Sequence, residues 1–306
     1  MSFTKTVLIT GGTSGLGLEV VVVASRTDPD LAAETINKTL GQKNSQYLPL
    51  DLSSLEQIRL FAADWKTRNL PPIQALLLNA GIQYPEQGVR KAGDGVELTF
   101  GGHALLLYLL YPLLAPAAHI VFTSSSTHDP AQKTGQPDAI YNTAEELAHA
   151  TPESTKYLGS QRYTTSKLTN VMFTYALNRR LQQQGKQLIV VAFDPGWMPG
   201  TGLARDAGFV ERVMWFHVLP RVIPLLRKLI SPNIHKSEES GATLAWLAVS
   251  PAVKESGGYW NASPKRKMTE SSKDSYDEKK QEDLWAWTVK HVSASEQERK
   301  KFDALG

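Results

Sequence analysis

Tyr163 and Lys167 stand four residues apart in a stretch whose apolar side chains recur with helical spacing. Residues four apart share one face of a helix, so the phenol and the ammonium would be neighbours. An ammonium about 4 Å from a phenol contributes about 4 kcal/mol at an effective dielectric constant of about 20. That energy would bring a phenol pKa of about 10 close to neutrality. The pair therefore predicts a side chain that exchanges a proton with a carbonyl or alcohol oxygen.

Three consecutive hydroxyl residues, Ser124–Ser126, follow the strand-like run Ile120–Thr123. A serine hydroxyl at the end of a strand can donate a hydrogen bond to the same substrate oxygen as Tyr163. The triplet is therefore a second candidate for the site of proton transfer.

A cluster of glycines follows directly on the first predicted strand, in the run Thr10–Gly17. Glycine adopts positive φ and lets a ligand approach the backbone closely. Free N–H groups at such a strand-to-helix turn can hold a pyrophosphate. A tight turn without a ligand is the alternative, but its place after the first strand favours a dinucleotide site. The candidate binding residues in this turn are Gly11, Thr13, Ser14, Gly15, Leu16 and Gly17.

The second predicted strand ends in Arg26. An acidic residue there would accept a hydrogen bond from the ribose of NAD(H), whereas arginine can pair with the 2′-phosphate of NADP(H). Arg26 therefore favours NADP(H) over NAD(H). Asp28, two positions on, keeps NAD(H) open, and a simple surface arginine is a third interpretation.

The positions of these residues depend on the fold. Along the chain, short apolar runs alternate with longer amphipathic stretches. This alternation is typical of a parallel sheet covered by helices, an α/β fold. We predict strands at 5–10, 20–25, 46–50, 73–79, 119–124, 187–193 and 257–260, and helices at 29–40, 53–68, 103–114, 164–184 and 238–249. Residues 263–283 are charged and polar, which predicts a solvated surface segment.

The composition excludes several classes of protein. The 306 residues are 42% hydrophobic and 21% charged, which excludes a disordered chain. The net charge of +3 is too small and dispersed for a nucleic-acid binder. There is no cysteine, so disulfides and thiolate sites are excluded, and the seven histidines show no metal-ligand spacing. With neither a signal peptide nor an apolar run of about 18 residues in view, we expect a soluble, cytoplasmic protein.

Four motifs occur in an order that resembles the short-chain dehydrogenase/reductase family. They are the Thr-Gly-x-x-x-Gly-x-Gly spacing of Thr10–Gly17, Asn79-Ala80-Gly81, the serine triplet, and Tyr163-x-x-x-Lys167. The resemblance runs from about Thr6 to Tyr259. It implies a Rossmann-type doubly wound parallel sheet forming a single domain over 1–262, with a charged C-terminal extension over 263–306.

The resemblance also assigns roles to individual residues. It implies that Tyr163 is the proton donor, that Lys167 holds the ribose and lowers the phenol pKa, and that Ser125 polarises the carbonyl, with Ser124 as the second choice. The further cofactor contacts that it implies are Asp51 and Leu52 near the adenine, Asn79, Ala80 and Gly81 at the end of the fourth strand, and Pro195, Gly196 and Thr201 around the nicotinamide.

The long apolar segment 197–235, with interspersed arginines and a lysine, is either a core-covering helix pair or a lid over a lipophilic carbonyl or alcohol that also touches a membrane surface. Three motifs in and around this segment resemble the branch of retinol dehydrogenases and light-dependent protochlorophyllide reductases. They are Pro195-Gly196 with Thr201-Gly202-Leu203, Ser237–Gly241 and Ser256–Trp260.

Hydride transfer between NADPH and a hydrophobic carbonyl is the leading hypothesis. A weakly catalytic nucleotide sensor or scaffold and a light-driven pigment reductase are the alternatives. The lack of the pigment-linked cysteines of protochlorophyllide reductases speaks against the second of these.

Two segments are shorter than the family pattern. Only two residues separate Gly17 from Val20, whereas the family has about ten more and a parallel crossover needs at least about 10. In Phe100-Gly101-Gly102-His103, about four residues are lacking, among them the asparagine that completes the family's proton relay. Either the chain carries deletions, which would displace the phosphate-facing helix and weaken hydride transfer, or the sequence as written omits segments.

Overall fold

A computed structural model of the chain describes residues 4–11, 20–84, 88–97, 102–200 and 213–304. Its centre is an eight-stranded sheet in the order β3-β2-β1-β4-β5-β6-β7-β8, parallel except for the last pair. This confirms the predicted α/β fold with a doubly wound parallel sheet. The strands are β1 (Thr6–Thr10), β2 (Val20–Ser25), β3 (Ser45–Pro49), β4 (Ile73–Leu78), β5 (Leu114–Thr123), β6 (Ile189–Asp194), β7 (Gly258–Asn261) and β8 (Met268–Thr269).

Helices cover both faces of the sheet. They are α1 (Ala32–Leu40), α2 (Leu55–Thr67), α3 (His103–Leu110), α4 (Ala144–Ala148), α5 (Gly159–Gln183), α6 (Ile223–Leu229), α7 (Ser237–Val249), α8 (Glu278–Val292) and α9 (Glu296–Asp303). The predicted start of the longest helix at 164 is wrong, because α5 begins five residues earlier, where the sequence has no apolar repeat. Tyr163 and Lys167 consequently lie within one helix.

The strand order reverses at β1, which has β2 on one side and β4 on the other. In an open α/β sheet, a crevice forms at such a switch point, outside the carboxyl ends of the strands. The ends of β1, β4 and β5 are Thr10, Leu78 and Thr123. The fold therefore brings the glycine turn, Asn79-Ala80-Gly81 and the serine triplet to one edge of the sheet.

The short connection between β1 and β2 still allows parallel pairing. Thr6 pairs with Val20 and Thr10 with Ala24. Between the end of β1 at Thr10 and the start of β2 at Val20, the chain must therefore run back along the length of one strand. That return is about 13 Å along the strands, and ten residues can span about 33 Å. Because the distance is well within reach, the missing length does not prevent formation of the sheet.

The C-terminal residues pack into the main core. Helix α8 lies against α5, and Phe302 of α9 stacks on Tyr108 of α3 with ring centroids 4.6 Å apart. The solvated surface predicted over 263–283 is wrong in part, because polar groups of this segment are buried against neighbouring elements. The buried polar residues are Ser271, Ser272, Ser275 and Gln281.

Within the described ranges, no helix is both long enough and apolar enough to cross a bilayer.

Candidate active site

Asn79 joins the ends of three neighbouring strands. Its amide nitrogen Nδ2 donates to the carbonyl oxygens of Thr10 (3.2 Å) and Gly11 (3.1 Å). Its Oδ1 accepts a hydrogen bond of 3.0 Å from the Thr123 hydroxyl. The side chain of this predicted cofactor residue therefore fixes the geometry of the strand ends from which the site is built.

Gly11 and Ala80 approach each other so closely that glycine is required at the first position. Gly11 has φ of 63°, and a Cβ atom there would lie 3.1 Å from the Ala80 Cα. Both conditions exclude an ordinary side chain. The remaining predicted residues of the turn, Thr13, Ser14, Gly15, Leu16 and Gly17, lie outside the described residues.

Lys167 lies beside Tyr163, with its Nζ 5.4 Å from the centroid of the phenol ring. The ammonium is almost fully buried and donates a hydrogen bond of 3.1 Å to the Thr123 carbonyl at the end of β5. A Cβ atom on Gly81 would lie only 3.2 Å from Nζ, so the end of β4 leaves just enough space for the ammonium. The tyrosine–lysine pair and the ends of β4 and β5 thus form one cluster.

The two candidate serines occupy different environments. The Ser124 hydroxyl is buried and donates to the Lys167 carbonyl oxygen at 2.7 Å. The Ser125 Oγ is half-buried and accepts a hydrogen bond of 3.3 Å from the Thr127 N–H. Among the described residues, the Ser125 hydroxyl proton has no acceptor, so Ser125 is the serine able to donate to a ligand.

The protonation of the pair differs from the sequence-based expectation. Burial, together with the charge of Asp194, raises the pKa of Tyr163. Burial lowers the pKa of Lys167 to about 8, although Asp194 partly opposes this. The predicted fall of the Tyr163 pKa towards neutrality is therefore wrong for this structure, because burial and the negative charge of Asp194 both disfavour the phenolate.

Asp194 is a buried carboxylate that the sequence analysis missed. It accepts hydrogen bonds from the Gly196 N–H (2.9 Å) and from the Asn233 Nδ2 (2.7 Å). Gly196 has φ of 75°, and a Cβ there would lie 2.6 Å from the Asn233 backbone oxygen. An acidic residue at the end of an otherwise apolar strand, directly before Pro195, was the signal that could have identified it.

His103 is the second residue of the site that was not predicted. Its Nε2 lies 3.4 Å from the Thr10 hydroxyl. Burial, and then the charge of Lys167, lower its pKa to about 3, so the imidazole is neutral. The short motif that ends at His103 contained the signal, because this motif stands where the family has its relay asparagine.

At the end of β2, Arg26 is exposed. Asp28, the residue that left NAD(H) open, accepts a hydrogen bond of 2.8 Å from the Ala32 N–H at the start of α1. Asp51 similarly accepts from the N–H and the hydroxyl of Ser53. Both carboxylates are thus engaged in local turns, whereas the guanidinium is available to a ligand.

A cavity of about 400 Å³ joins these groups. It reaches Lys167 and the far wall formed by Trp287 of α8, but neither Tyr163 nor Ser125 lines it. Its predicted cofactor residues are Gly11, Arg26, Asp51, Leu52, Ala80 and Gly81. The close approach of Gly11 to Ala80 and the free guanidinium fit a dinucleotide whose pyrophosphate lies near β1 and whose ribose lies near β2.

The predicted lid is anchored to the end of β6. Trp197 donates from its N–H to the Asn233 carbonyl and accepts from the His235 N–H, both at 2.9 Å. The Trp197 ring packs on Trp215 with centroids 5.8 Å apart. The Ser240 hydroxyl donates to the Pro195 carbonyl at 2.6 Å. Thr201, the predicted carboxamide contact, lies outside the described residues.

In the described part of the chain, no three His, Cys, Asp or Glu side chains form a group able to hold a metal ion.

Comparison with known proteins agrees with this geometry. The profile of the short chain dehydrogenase family matches residues 5–141, and that of the AcuH dehydrogenase domain matches 205–300. Human polyprenol dehydrogenase is 29% identical, with 92% of this chain and 83% of that protein aligned. Chloroplastic protochlorophyllide reductase of Chlamydomonas reinhardtii is also 29% identical, over 95% of this chain and 78% of that protein.

The fold has close counterparts among solved structures. An uncharacterized protein from Mycobacterium paratuberculosis superposes with a TM-score of 0.65 at 25% identity, covering 95% of this chain and 94% of that one. The ordered motifs, the sheet with its switch point and the sequence matches lead to one conclusion. The chain belongs to the short-chain dehydrogenase/reductase family of nicotinamide-dependent oxidoreductases, in the branch of retinol dehydrogenases and protochlorophyllide reductases.

Proposed function

We propose that this oxidoreductase uses NADPH to reduce a hydrophobic aldehyde or ketone, with Tyr163 as the proton donor. The observation that carries the proposal is the cluster of Tyr163 and Lys167 at the ends of β4 and β5, with Ser125 at the end of β5. The bound cofactor supplies a hydride from its nicotinamide to the carbonyl carbon. The chain must therefore supply the proton and stabilise the developing charge on the oxygen.

Tyr163 is suited to donate that proton. Burial and Asp194 raise its pKa, so the phenol holds its proton at neutral pH. Transfer of this proton to the carbonyl oxygen completes the alcohol and leaves a phenolate, which the neighbouring Lys167 ammonium stabilises. A phenol that is protonated at rest favours reduction over oxidation at neutral pH.

Ser125 is suited to polarise the carbonyl. Its hydroxyl proton is free to point towards a substrate oxygen, while the Ser124 hydroxyl is engaged with α5. A hydrogen bond from Ser125 would withdraw charge from the carbonyl carbon as the hydride arrives. This difference supports Ser125 over Ser124 as the catalytic serine.

NADPH is preferred over NADH because of the groups at the end of β2. Arg26 is exposed there and can pair with a 2′-phosphate in a bidentate manner. Asp28, which would otherwise accept from the ribose hydroxyl of NADH, is engaged with the start of α1. Among the described residues at this end of β2, Arg26 offers a cation to the 2′-phosphate of NADPH, while one oxygen of Asp28 is already held by the start of α1.

A hydrophobic substrate is supported by the apolar lid and by the relatives. Trp197 and Trp215 pack together beside Pro195-Gly196, the predicted nicotinamide contact. The two relatives compared above are named for a polyprenol and for protochlorophyllide, both lipophilic molecules. We expect a bulky apolar carbonyl compound, or the corresponding alcohol in the reverse direction.

The test is a titration of the purified protein with NADPH and NADH, followed by nicotinamide fluorescence. We expect tighter binding of NADPH, and a loss of about tenfold in its affinity for Arg26→Ala. Lys43→Ala, which removes another exposed cation, is the matched control and should leave the affinity unchanged. Equal binding of both nucleotides would contradict the NADPH assignment.

Turnover is then measured with NADPH and a panel of apolar aldehydes and ketones, once in the dark and once under illumination. Tyr163→Phe should bind NADPH normally and lose at least about a hundredfold in kcat. NADPH binding by the unmodified protein without turnover would favour a nucleotide sensor or scaffold. Turnover that required light would favour a pigment reductase.

A further inference from the structure

The segment 213–230 has apolar side chains on both its inward and its outward side. It comprises a π-turn at Met214–Val218, a 3-10 turn at Leu219–Val222 and helix α6. Ile223 is 1% exposed and anchors the segment to the protein. The other inward residues are half-buried, and they are Trp215, Phe216, Leu219, Val222 and Leu226.

The outward side of this segment is also apolar. The described part of the chain has fourteen large hydrophobic side chains classed as exposed, and six of them lie in these 18 residues. They are Val213 (39%), Met214 (43%), Val218 (39%), Leu225 (54%), Leu229 (69%) and Ile230 (66%). A contiguous group of exposed apolar side chains of this kind marks a surface that contacts a protein, a ligand or a membrane.

Basic residues lie among these exposed apolar residues. Residues 213–237 contain four lysines and arginines and no aspartate or glutamate. Arg221 and Lys228 are exposed, as are Val218 and Leu225 near them in the chain. Arg227 differs, because it pairs with Glu239 of α7.

We infer that the outward face of 213–230 docks onto an anionic lipid bilayer, with the helical segment lying parallel to the membrane plane. Apolar side chains enter the acyl region while the long basic side chains reach the headgroups. A second copy of the chain fits less well, since a two-fold contact would bring Arg221 and Lys228 against like charges. The inference goes beyond the proposed reaction and does not depend on it.

The inward face of the segment lies next to the site, so docking on a membrane would also affect how the substrate reaches the site. Trp215 packs on Trp197 at the predicted substrate end of the site. The same segment would therefore contact the membrane on one side and border the substrate on the other. Lipophilic compounds dissolved in the bilayer are the substrate class that such an arrangement serves.

The test is co-sedimentation of the purified full chain with large vesicles. One set contains phosphatidylcholine alone and the other about 30% phosphatidylserine. We expect at least about tenfold stronger binding to the anionic vesicles, weakened several-fold when the salt rises from about 50 mM to about 500 mM. Absence of binding to either set, or equal binding to both, would overturn the inference.

Two matched double variants identify the docking face. Leu225→Glu with Leu229→Glu should lower vesicle binding at least about tenfold. Leu40→Glu with Leu60→Glu changes two leucines of similar exposure (52% and 54%) outside the segment and should leave binding intact. Equal losses in both variants would overturn the assignment to this face. Thermal unfolding of each variant verifies that the fold is retained.

Sedimentation velocity without vesicles tests whether a second copy of the chain, instead of a membrane, covers this face. We expect the same sedimentation coefficient for the unmodified chain and for the Leu225→Glu, Leu229→Glu variant. A dimer that this variant abolishes, combined with weak vesicle binding, would show that the face is covered by a second copy instead.

Discussion

The cluster around Tyr163 and Lys167 and the segment 213–230 differ in which side chains they bury and which they expose. Around Tyr163 and Lys167, polar side chains are buried and tied by hydrogen bonds to strand ends. In 213–230, apolar side chains are left exposed. Burying a charge costs free energy, and so does exposing a large apolar face to water. Such features are therefore common at functional sites. We propose a function for each of these two regions.

The largest expected effect tests the cost of burying Lys167. Its folded pKa of about 8 lies below the value of about 10.4 for an exposed lysine, so burial of the ammonium costs about 3 kcal/mol at pH 7. Lys167→Met should therefore be more stable than the unmodified protein at pH 7, and inactive. Asn170 also donates to the Thr123 carbonyl, so this oxygen keeps a partner in the variant.

The pH dependence of that difference has a definite sign. Between about pH 8 and pH 10.4 the unfolded chain binds more protons at Lys167 than the folded chain does, so the stability of the unmodified protein rises with pH. The advantage of Lys167→Met, measured by urea unfolding, should shrink across this interval. A constant difference from pH 7 to pH 10 would show that Lys167 is not destabilised by burial.

The next effect separates the two serines. Ser125→Ala should lower kcat by about a hundredfold with little change in stability, because it removes a donor to the substrate oxygen. Ser124→Ala should lower the free energy of unfolding by about 1 to 3 kcal/mol, because the buried Lys167 carbonyl loses its hydroxyl partner. Steady-state kinetics and urea unfolding of both variants check this. The reverse pattern would make Ser124 the catalytic residue.

A comparison within the lid segment tests its two faces. Ile223→Ala should cost at least about 2 kcal/mol, because Ile223 is 1% exposed and its removal leaves a cavity. Leu225→Ala, at a position that is 54% exposed, should change the stability by less than about 0.5 kcal/mol. Thermal or urea unfolding measures both. Similar losses in the two variants would mean that Leu225 is covered in solution.

The smallest effect concerns Asp194. Its charge raises the pKa of Tyr163, so Asp194→Asn should lower that pKa. The pH profile of alcohol oxidation, which needs the phenolate, should move to lower pH by about one unit. An asparagine can still accept from the Gly196 N–H, but it loses the hydrogen bond from the Asn233 Nδ2, so thermal unfolding of the variant is measured alongside. An unchanged profile would show that Asp194 acts only on the loop.

Much of the scaffold could be predicted because its signals are local. Seven strands were expected, and each was found within a few residues of its predicted bounds except for the start of β5. Helices α8 and α9 were missed, because their charged sequence hides a few buried side chains such as Trp285. Such burial depends on contacts with α3 and α5, which are distant in the sequence.

The site was predicted unevenly for a related reason. Motif order identified Ser125, Tyr163 and Lys167 as candidates, but nothing in their spacing revealed that burial and Asp194 would raise the pKa of Tyr163. Asp194 and His103 carry no motif of their own in the sequence. Both became visible only when β1, β5 and β6 brought them to the same edge.

The sequence by itself determined the fold class, the family and the candidate chemistry, since these follow from apolar periodicity and from residue types at fixed spacing. The tertiary structure decided which polar groups are already engaged and which are free, as for Ser124 against Ser125 and for Asp28 against Arg26. It also decided which apolar residues of 213–230 face outward. The physical reason is that hydration and hydrogen-bond partners are properties of the packed molecule, because they arise between residues far apart in the chain.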